Sequence, residues 1–260
     1  MRLPYVEQGD RDGVPVLFLH GYSDTWRSWE PVFPHLPESI RAIAVTQRGH
    51  GDAERPASGY RIEDLAADAA ELLEQLQLPR AIVVGHSMGA WVAEKLAVDH
   101  PQRVAGLVLE GAFGPGRESE AIVALTEETA RLEDPVDPGF VREFQVSTTN
   151  RPVPADFIDM VVADSLRMPA RVWRDVGRGF LEIDLSAHYR EIDAPTLLVW
   201  GDQDAFVTHA ELERLAREMP NATRSVYEGT GHAVHWDQPL RFARDVVAFS
   251  RYSAALQLSR

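Results

Sequence analysis

The 260-residue chain contains no cysteine, which excludes disulfides, thiolate metal sites and a cysteine nucleophile, and leaves serine without a thiol competitor. It has no apolar run approaching the ~20 residues that cross a bilayer. Its first ten residues, MRLPYVEQGD, carry neither the apolar core nor the cleavage site of a secretion signal. The expectation is a cytoplasmic protein with no membrane partner. Basic charge is scarce: 26 Lys and Arg stand against 40 Asp and Glu, for a formal net charge of -14. The basic residues are spread along the chain, which argues against a nucleic-acid partner or an anionic surface. What is present, 45% hydrophobic and 25% charged residues, is the balance of a soluble globular domain with a real core. The length suits one α/β domain.

Short β-type runs recur at residues 3–7, 14–19, 40–45, 81–84, 104–109, 196–200 and 224–227. Several are apolar throughout, the pattern of central parallel strands covered on both faces. Between them, residues 62–76 place Ile62, Leu65, Ala66, Ala69, Leu72, Leu73 and Leu76 opposite Glu63, Asp64, Asp68, Glu71 and Glu74, which is a helical stripe. Strand and helix in alternation predict an α/β fold with a mostly parallel central sheet flanked by helices. The alternation stops over residues 111–193. There Pro115, Pro135, Pro138, Pro152, Pro154 and Pro169 separate helix-like pieces at 122–132, 138–148, 155–165 and 170–180. That stretch reads as a helical insertion between two strands.

Residues 81–92 read AIVVGHSMGAWV. Ala81 to Val84 have the length and β-branching of a buried strand. Gly85 and Gly89, two before and two after Ser87, permit a strand-to-helix turn too tight for a Cβ at either place. Such a turn holds a serine at its tip with a strained backbone and a bare Oγ, which is what a weak nucleophile needs beside a base.

The apolar run Val16-Leu17-Phe18-Leu19 leads into His20-Gly21-Tyr22-Ser23-Asp24. Gly21 lets the backbone approach whatever lies above the sheet, so the Tyr22 N–H is placed to face a developing negative oxygen. A second N–H is free on Met88, the first helical residue after Ser87, where the helix dipole favours negative charge. Two such donors make an oxyanion hole. For the acid, the run 196–200 leads into Gly201-Asp202-Gln203-Asp204, with two carboxylates suited to orienting a histidine; Glu110, after the run 104–109, is a competing position. For the base, His232 follows the last strand in the glycine-flanked loop Glu228-Gly229-Thr230-Gly231-His232. His35, His100, His188 and His209 read as solvated helix-end residues, and His20, His50 and His86 as makers of structural hydrogen bonds. His235 suggests a metal pair with His232, but no carboxylate pattern accompanies it in sequence, so no metal is expected.

The chain order Ser87, Asp204, His232 belongs to one serine-hydrolase lineage and not to two others. The sequence resembles the α/β-hydrolase superfamily over nearly its whole length. The His20-Gly21 turn, the Arg48-Gly49-His50-Gly51 loop after the fourth strand, the Gly85-His86-Ser87-Met88-Gly89 elbow, Gly201-x-x-Asp204 and Gly229-x-Gly231-His232 fall in the family's order. The resemblance implies an α/β-hydrolase core of residues 1–110 and 194–260, with 111–193 as a helical cap inserted after the sixth strand. It makes Ser87 the nucleophile, His232 the base, Asp204 the acid, and Tyr22 with Met88 the oxyanion donors, and it requires no cofactor. Members often read Asp-x-Arg-Gly-His-Gly-x-Ser where this chain has Thr46-Gln47-Arg48-Gly49-His50-Gly51-Asp52-Ala53, a change that falls on substrate contacts and leaves the triad alone. Members also begin with a further strand, so the first strand is expected to be missing or reduced.

The expected activity is that of a carboxylesterase-like serine hydrolase acting on small-molecule esters or lactones through a Ser87 acyl-enzyme. C–C bond hydrolases, thioesterases, amidases and perhydrolases share the motifs, acyltransferases form a third option, and a ligand receptor with a slow triad is the non-enzymatic alternative. A serine at the elbow argues against the haloalkane dehalogenase and epoxide hydrolase branches, which use an aspartate there. Phe113, Phe140, Phe144, Phe157, Met160, Met168, Trp173 and Phe180 in the insertion suit either an apolar acyl or aromatic pocket or the packing of cap helices.

Overall fold

Strands β1 (Tyr5–Gln8), β2 (Val14–Leu19), β3 (Ile40–Val45), β4 (Ala81–His86), β5 (Val104–Glu110), β6 (Thr196–Gly201) and β7 (Ala222–Tyr227) form one seven-stranded sheet in the order β1-β3-β2-β4-β5-β6-β7. This is a computed structural model describing residues 1–258; the last two residues of the predicted 194–260 core segment lie outside the described residues. β1 runs antiparallel to β3, and the remaining pairs are parallel.

The unbroken apolar runs reflect burial on both faces. Side chains alternate across a strand, so Leu17 and Leu19 of β2 join the cluster formed with α1 (Ile62–Gln75) and α2 (Met88–Asp99) through Leu65, Leu72, Trp91 and Leu96. Val16 and Phe18 join Trp29 and the Phe242 and Val246 side chains of α9 (Pro239–Leu258) on the other face. All four β2 residues are fully buried, each stabilising the fold by roughly 1.5–3 kcal/mol relative to exposure.

Between β5 and β6 lie α3 (Glu120–Thr129), α4 (Pro138–Ser147), α5 (Ala155–Ser165) and α6 (Ala170–Glu182). They follow β5, the expected run at residues 104–109, which is the sixth strand when the family's further first strand is counted ahead of β1. α4 begins where Asp137 Oδ1 accepts the Gly139 N–H at 3.1 Å with Pro138 in the first turn, a sequence-encoded helix start. α7 (His209–Glu218) joins β6 to β7, and α8 (Val234–Asp237) precedes α9. Among the described residues no helix is long and apolar enough to cross a membrane.

Register aligns the carboxyl ends of the central strands. Leu19 stands opposite Gly85, Gly85 opposite Leu109, and Glu110 opposite Val199. The segments after β2, β4, β5 and β6 therefore converge on one edge, the place where open parallel sheets bind ligands.

Candidate active site

Ser87 is the single residue between β4 and α2, with φ 54° and ψ -116°. A non-glycine residue here is strained by about 1–3 kcal/mol. The surrounding packing enforces the turn. A Cβ on Gly85 would lie 2.2 Å from Gly89 O, and one on Gly89 would lie 2.2 Å from Leu19 O, so neither position admits a side chain. Ser87 N donates to Glu110 O at 2.9 Å, which fastens the tip to the end of β5. Ser87 keeps partial exposure between buried neighbours. Among the described residues the amide N–H groups of Tyr22 and Met88 have no backbone acceptor.

His232 Nδ1 lies 2.8 Å from Asp204 Oδ2. Asp204 is itself oriented, because its Oδ1 accepts the Phe206 and Val207 N–H groups at 2.8 and 3.0 Å. The two carboxylates left open by the sequence are separated by their partners: Asp202 Oδ1 accepts the Gly229 N–H at 2.6 Å and shapes the turn. Close glycine contacts seat the histidine loop. Cβ atoms on Gly201 and Gly111 would lie 2.2 Å from Gly231 O and 2.6 Å from His232 Cε1. Burial opposes a charge on His232, but the Asp204 charge and hydrogen bond, with Glu110 and Asp24 beyond, hold its pKa above the usual imidazole value.

Behind this pair stands a second one. His235 Nδ1 lies 2.8 Å from Glu110 Oε1, which also accepts the His235 backbone N–H at 2.9 Å, and His235 Nε2 lies 2.9 Å from Ser28 Oγ. The expectation that no carboxylate accompanies His235 is therefore corrected, since Glu110 comes from a strand 125 positions away. Both side chains are fully enclosed. Burial pushes Glu110 up to about 7 against the pull of His86, and holds His235 well below the usual imidazole range. His86 was expected to make structural hydrogen bonds; its ring faces the His232 backbone and packs between the His232 and His235 rings, with centroids 4.9 and 4.7 Å away. His86, Glu110 and His235 bring ligand-type atoms within 4.8 Å of one another. Both ring nitrogens of His235 are already engaged by Glu110 and Ser28, so the Glu110–His235 pair is built as a hydrogen-bonded core against which the His86 ring packs.

Ser87 and His232 line one narrow cavity with Tyr22, Asp24, Met88, Gln145 and a wall of Trp91, Phe113, Ile122, Leu125, Phe144, Phe180 and Phe206. Of the apolar insertion residues picked out in the sequence, Phe113, Phe144 and Phe180 face this cavity. Met168 and Trp173 are core residues, and Phe140, Phe157 and Met160 pack partly buried against the core. The loop after β2 is tied to the insertion by three successive side chains. Gln145 Nε2 donates to Ser23 Oγ and Asp24 Oδ1 at 3.2 and 3.0 Å, and Thr25 Oγ1 donates to Asp164 Oδ2 at 2.8 Å. Burial pushes Asp24 up to about 7 against hydrogen bonds from Gln145 and Ser28. Sequence reasoning missed Asp24 and Gln145 because the two lie 121 positions apart and neither stands in a motif.

His20 and His50 take structural roles. His20 Nδ1 donates to Gly21 O at 2.8 Å and its Nε2 accepts the Gln47 N–H at 3.0 Å, while His50 Nδ1 donates to Arg48 O at 2.8 Å. Burial keeps both rings neutral, His50 at about 4. Arg48 grips Asp68 of α1 through Nε and Nη2 at 2.5 and 2.6 Å. The departures from the family pattern fall at Thr46, whose Oγ1 accepts the Trp26 N–H at 3.2 Å, and at the buried Ala53.

The model of the α/β hydrolase fold family matches residues 14–239. The chain is 31% identical to a non-heme chloroperoxidase of Streptomyces lividans, covering 94% of each protein. It is also 31% identical to the 2-(acetamidomethylene)succinate hydrolase of Mesorhizobium japonicum, over 87% of this chain and 84% of that protein. The solved esterase of Exiguobacterium antarcticum superposes with a TM-score of 0.85 at 23% identity, covering 96% of this chain and 95% of that one, a likeness of fold.

Proposed function

The chain belongs to the α/β hydrolase fold family, and on that premise we propose that it is a serine hydrolase cleaving carboxylic esters or lactones through an acyl-enzyme on Ser87. One observation carries the reading: a serine held at φ 54° and a histidine paired with a carboxylate at 2.8 Å line the same cavity.

Ser87 Oγ attacks the carbonyl carbon while His232 Nε2 takes its proton, and Asp204 holds the ring and stabilises the imidazolium that forms. The Tyr22 and Met88 N–H groups receive the oxyanion; each such donor lowers the barrier by about 3–4 kcal/mol. The alcohol leaves with the proton from His232. Water, deprotonated by His232, then adds to the acyl carbon, and the acid departs as Ser87 regains its proton. Residues 111–193 act as the cap: Ile122, Leu125, Phe144 and Phe180 supply an apolar roof suited to an acyl or aromatic group.

The test is Ser87→Ala assayed on 4-nitrophenyl esters of graded chain length, with folding checked by circular dichroism. Loss of all but a few per cent of turnover is expected, and retention of more sinks the assignment. The chloroperoxidase relative favours a second reading on the same residues, in which hydrogen peroxide replaces water and the acyl group leaves as a peracid. Peracid formed from acetate ester and peroxide, dependent on Ser87, distinguishes it.

A further inference from the structure

The cavity's neutral donors are almost all committed elsewhere. Tyr22 Oη donates to Trp173 O at 2.5 Å, Trp91 Nε1 to Gly114 O at 3.1 Å, and Trp236 Nε1 to Ser28 O at 2.9 Å. Thr148 Oγ1 donates to Gln145 O at 2.7 Å, and Gln145 Nε2 serves Ser23, Asp24 and Ser165. What these groups leave toward the cavity is oxygen with unused lone pairs.

Asp24 dominates that acceptor face. Its Oδ1 accepts from Gln145 and its Oδ2 meets Ser28 Oγ at 3.2 Å, so each oxygen retains capacity for another donor. A Cβ on Gly21 would sit 2.7 Å from His86 Nδ1 and 3.3 Å from Asp24 Oδ2, which places the carboxyl beside the residue preceding Ser87. Among the described residues no Arg or Lys lines the cavity. A substrate with a free carboxylate near its reacting carbonyl would find no cationic side chain to pair with and the buried Asp24 carboxyl close by.

We propose that Asp24 is the specificity-determining residue of this cavity, selecting acyl compounds that carry a neutral N–H or O–H donor within a few bonds of the reacting carbonyl. The inference rests on the serine-hydrolase reading above. A site built to pair with a substrate donor rejects an analogue lacking it strongly, because its own buried polar group is left unpaired.

Matched 4-nitrophenyl esters test it. N-acetylglycinate offers an amide N–H; acetoxyacetate replaces that N–H by oxygen with similar activation of the carbonyl. Glycolate against methoxyacetate repeats the comparison for an O–H donor, and hydrogen succinate supplies a carboxylate. Rates are divided by each ester's uncatalysed hydroxide rate. The wild-type enzyme is expected to favour at least one donor-bearing ester by about tenfold or more in kcat/KM, with hydrogen succinate the poorest substrate. Asp24→Asn turns one cavity-facing acceptor into a donor, so the selectivity ratio is expected to fall to about one or below, whatever the absolute rate. A wild-type ratio near one in both pairs, a preference for hydrogen succinate, or a ratio unchanged in Asp24→Asn overturns the proposal. Turnover of acetoxyacetate that survives in Ser87→Ala, or no turnover of any ester, overturns the serine-hydrolase reading instead and this inference falls with it.

Discussion

His235 Nδ1 stands 2.8 Å from Glu110 Oε1, the same separation that joins His232 Nδ1 to Asp204 Oδ2 three residues earlier. The two pairs differ in surroundings. His232 borders the cavity with Ser87, whereas His235 and Glu110 are sealed inside with Ser28 on the far ring nitrogen. The first pair can take a proton from a group that meets substrate; the second can only hold the floor of the site in place.

That difference predicts opposite outcomes for two carboxylate-to-amide changes. Asp204→Asn leaves His232 without its orienting charge and is expected to lower kcat by about 10³–10⁴. Glu110→Gln keeps an oxygen for the His235 N–H and removes a charge that burial already disfavours, so kcat is expected to stay within about tenfold of wild type. Steady-state kinetics on one activated ester decides between them. An inactive Glu110→Gln beside an active Asp204→Asn reassigns the acid.

The pH profile follows from the sign of the His232 shift. Its pKa in the fold is held above the ordinary imidazole value of 6.5, and in the proposed mechanism His232 must be neutral to accept the Ser87 proton. kcat/KM is therefore expected to rise with pH through a midpoint above that ordinary value. The charges facing His232 are Asp204, Glu110 and Asp24, with the neutral rings of His86 and His235 behind. Glu110→Gln removes one of the charges that favour the imidazolium, so its midpoint is expected to move down. A midpoint that stays put or rises shows that Glu110 does not act on His232.

The elbow predicts a steep contrast between glycines. Gly89→Ala would press a Cβ to 2.2 Å from Leu19 O, a backbone atom that cannot step aside, whereas Gly114→Ala meets nothing nearer than 3.8 Å, at an arginine tip. The first is expected to lose about 3 kcal/mol or more or to yield no soluble protein. The second is expected to fall within about 0.5 kcal/mol of wild type. Urea denaturation of both against wild type reads the difference directly.

The elbow was legible in the sequence because its constraint is local: two glycines flank one serine, and the clash that demands them is made by the turn itself and the adjacent strand. The strands were legible because burial on both faces leaves continuous apolar runs at β2, β4 and β5. Helix-like pieces set between prolines likewise marked the four insertion helices, although α3 and α6 end a few residues from their predicted bounds. Periodicity gives a buried face without saying what buries it, so Phe144, which lines the cavity, looks no different in sequence from Trp173, which fills the core. The Ser28–His235–Glu110 chain and the Asp24–Gln145 bond were illegible because each partner lies more than a hundred positions from the next. No local spacing encodes such a meeting; the sheet order and the docking of α4 create it.

Glu94 carries the last prediction. It lies fully buried on α2, and burial pushes its carboxyl well above the usual carboxylate range, against the opposing pull of the Tyr189 hydroxyl. In the unfolded chain the same group titrates near its ordinary value of 4.5. Above that pH the unfolded chain releases the proton and the fold retains it, so the stability tied to this proton is complete in acid and is lost as pH rises. The loss runs at about 1.4 kcal/mol per pH unit until the folded group ionises. An amide in place of this carboxyl cannot ionise in either state. Glu94→Gln is therefore expected to match wild type in stability near pH 4 and to exceed it increasingly at pH 6 and pH 8, since every other titrating group is common to both proteins and drops out of the difference. Urea midpoints at the three pH values measure it, and a difference that does not grow with pH means that Glu94 is ionised within the fold.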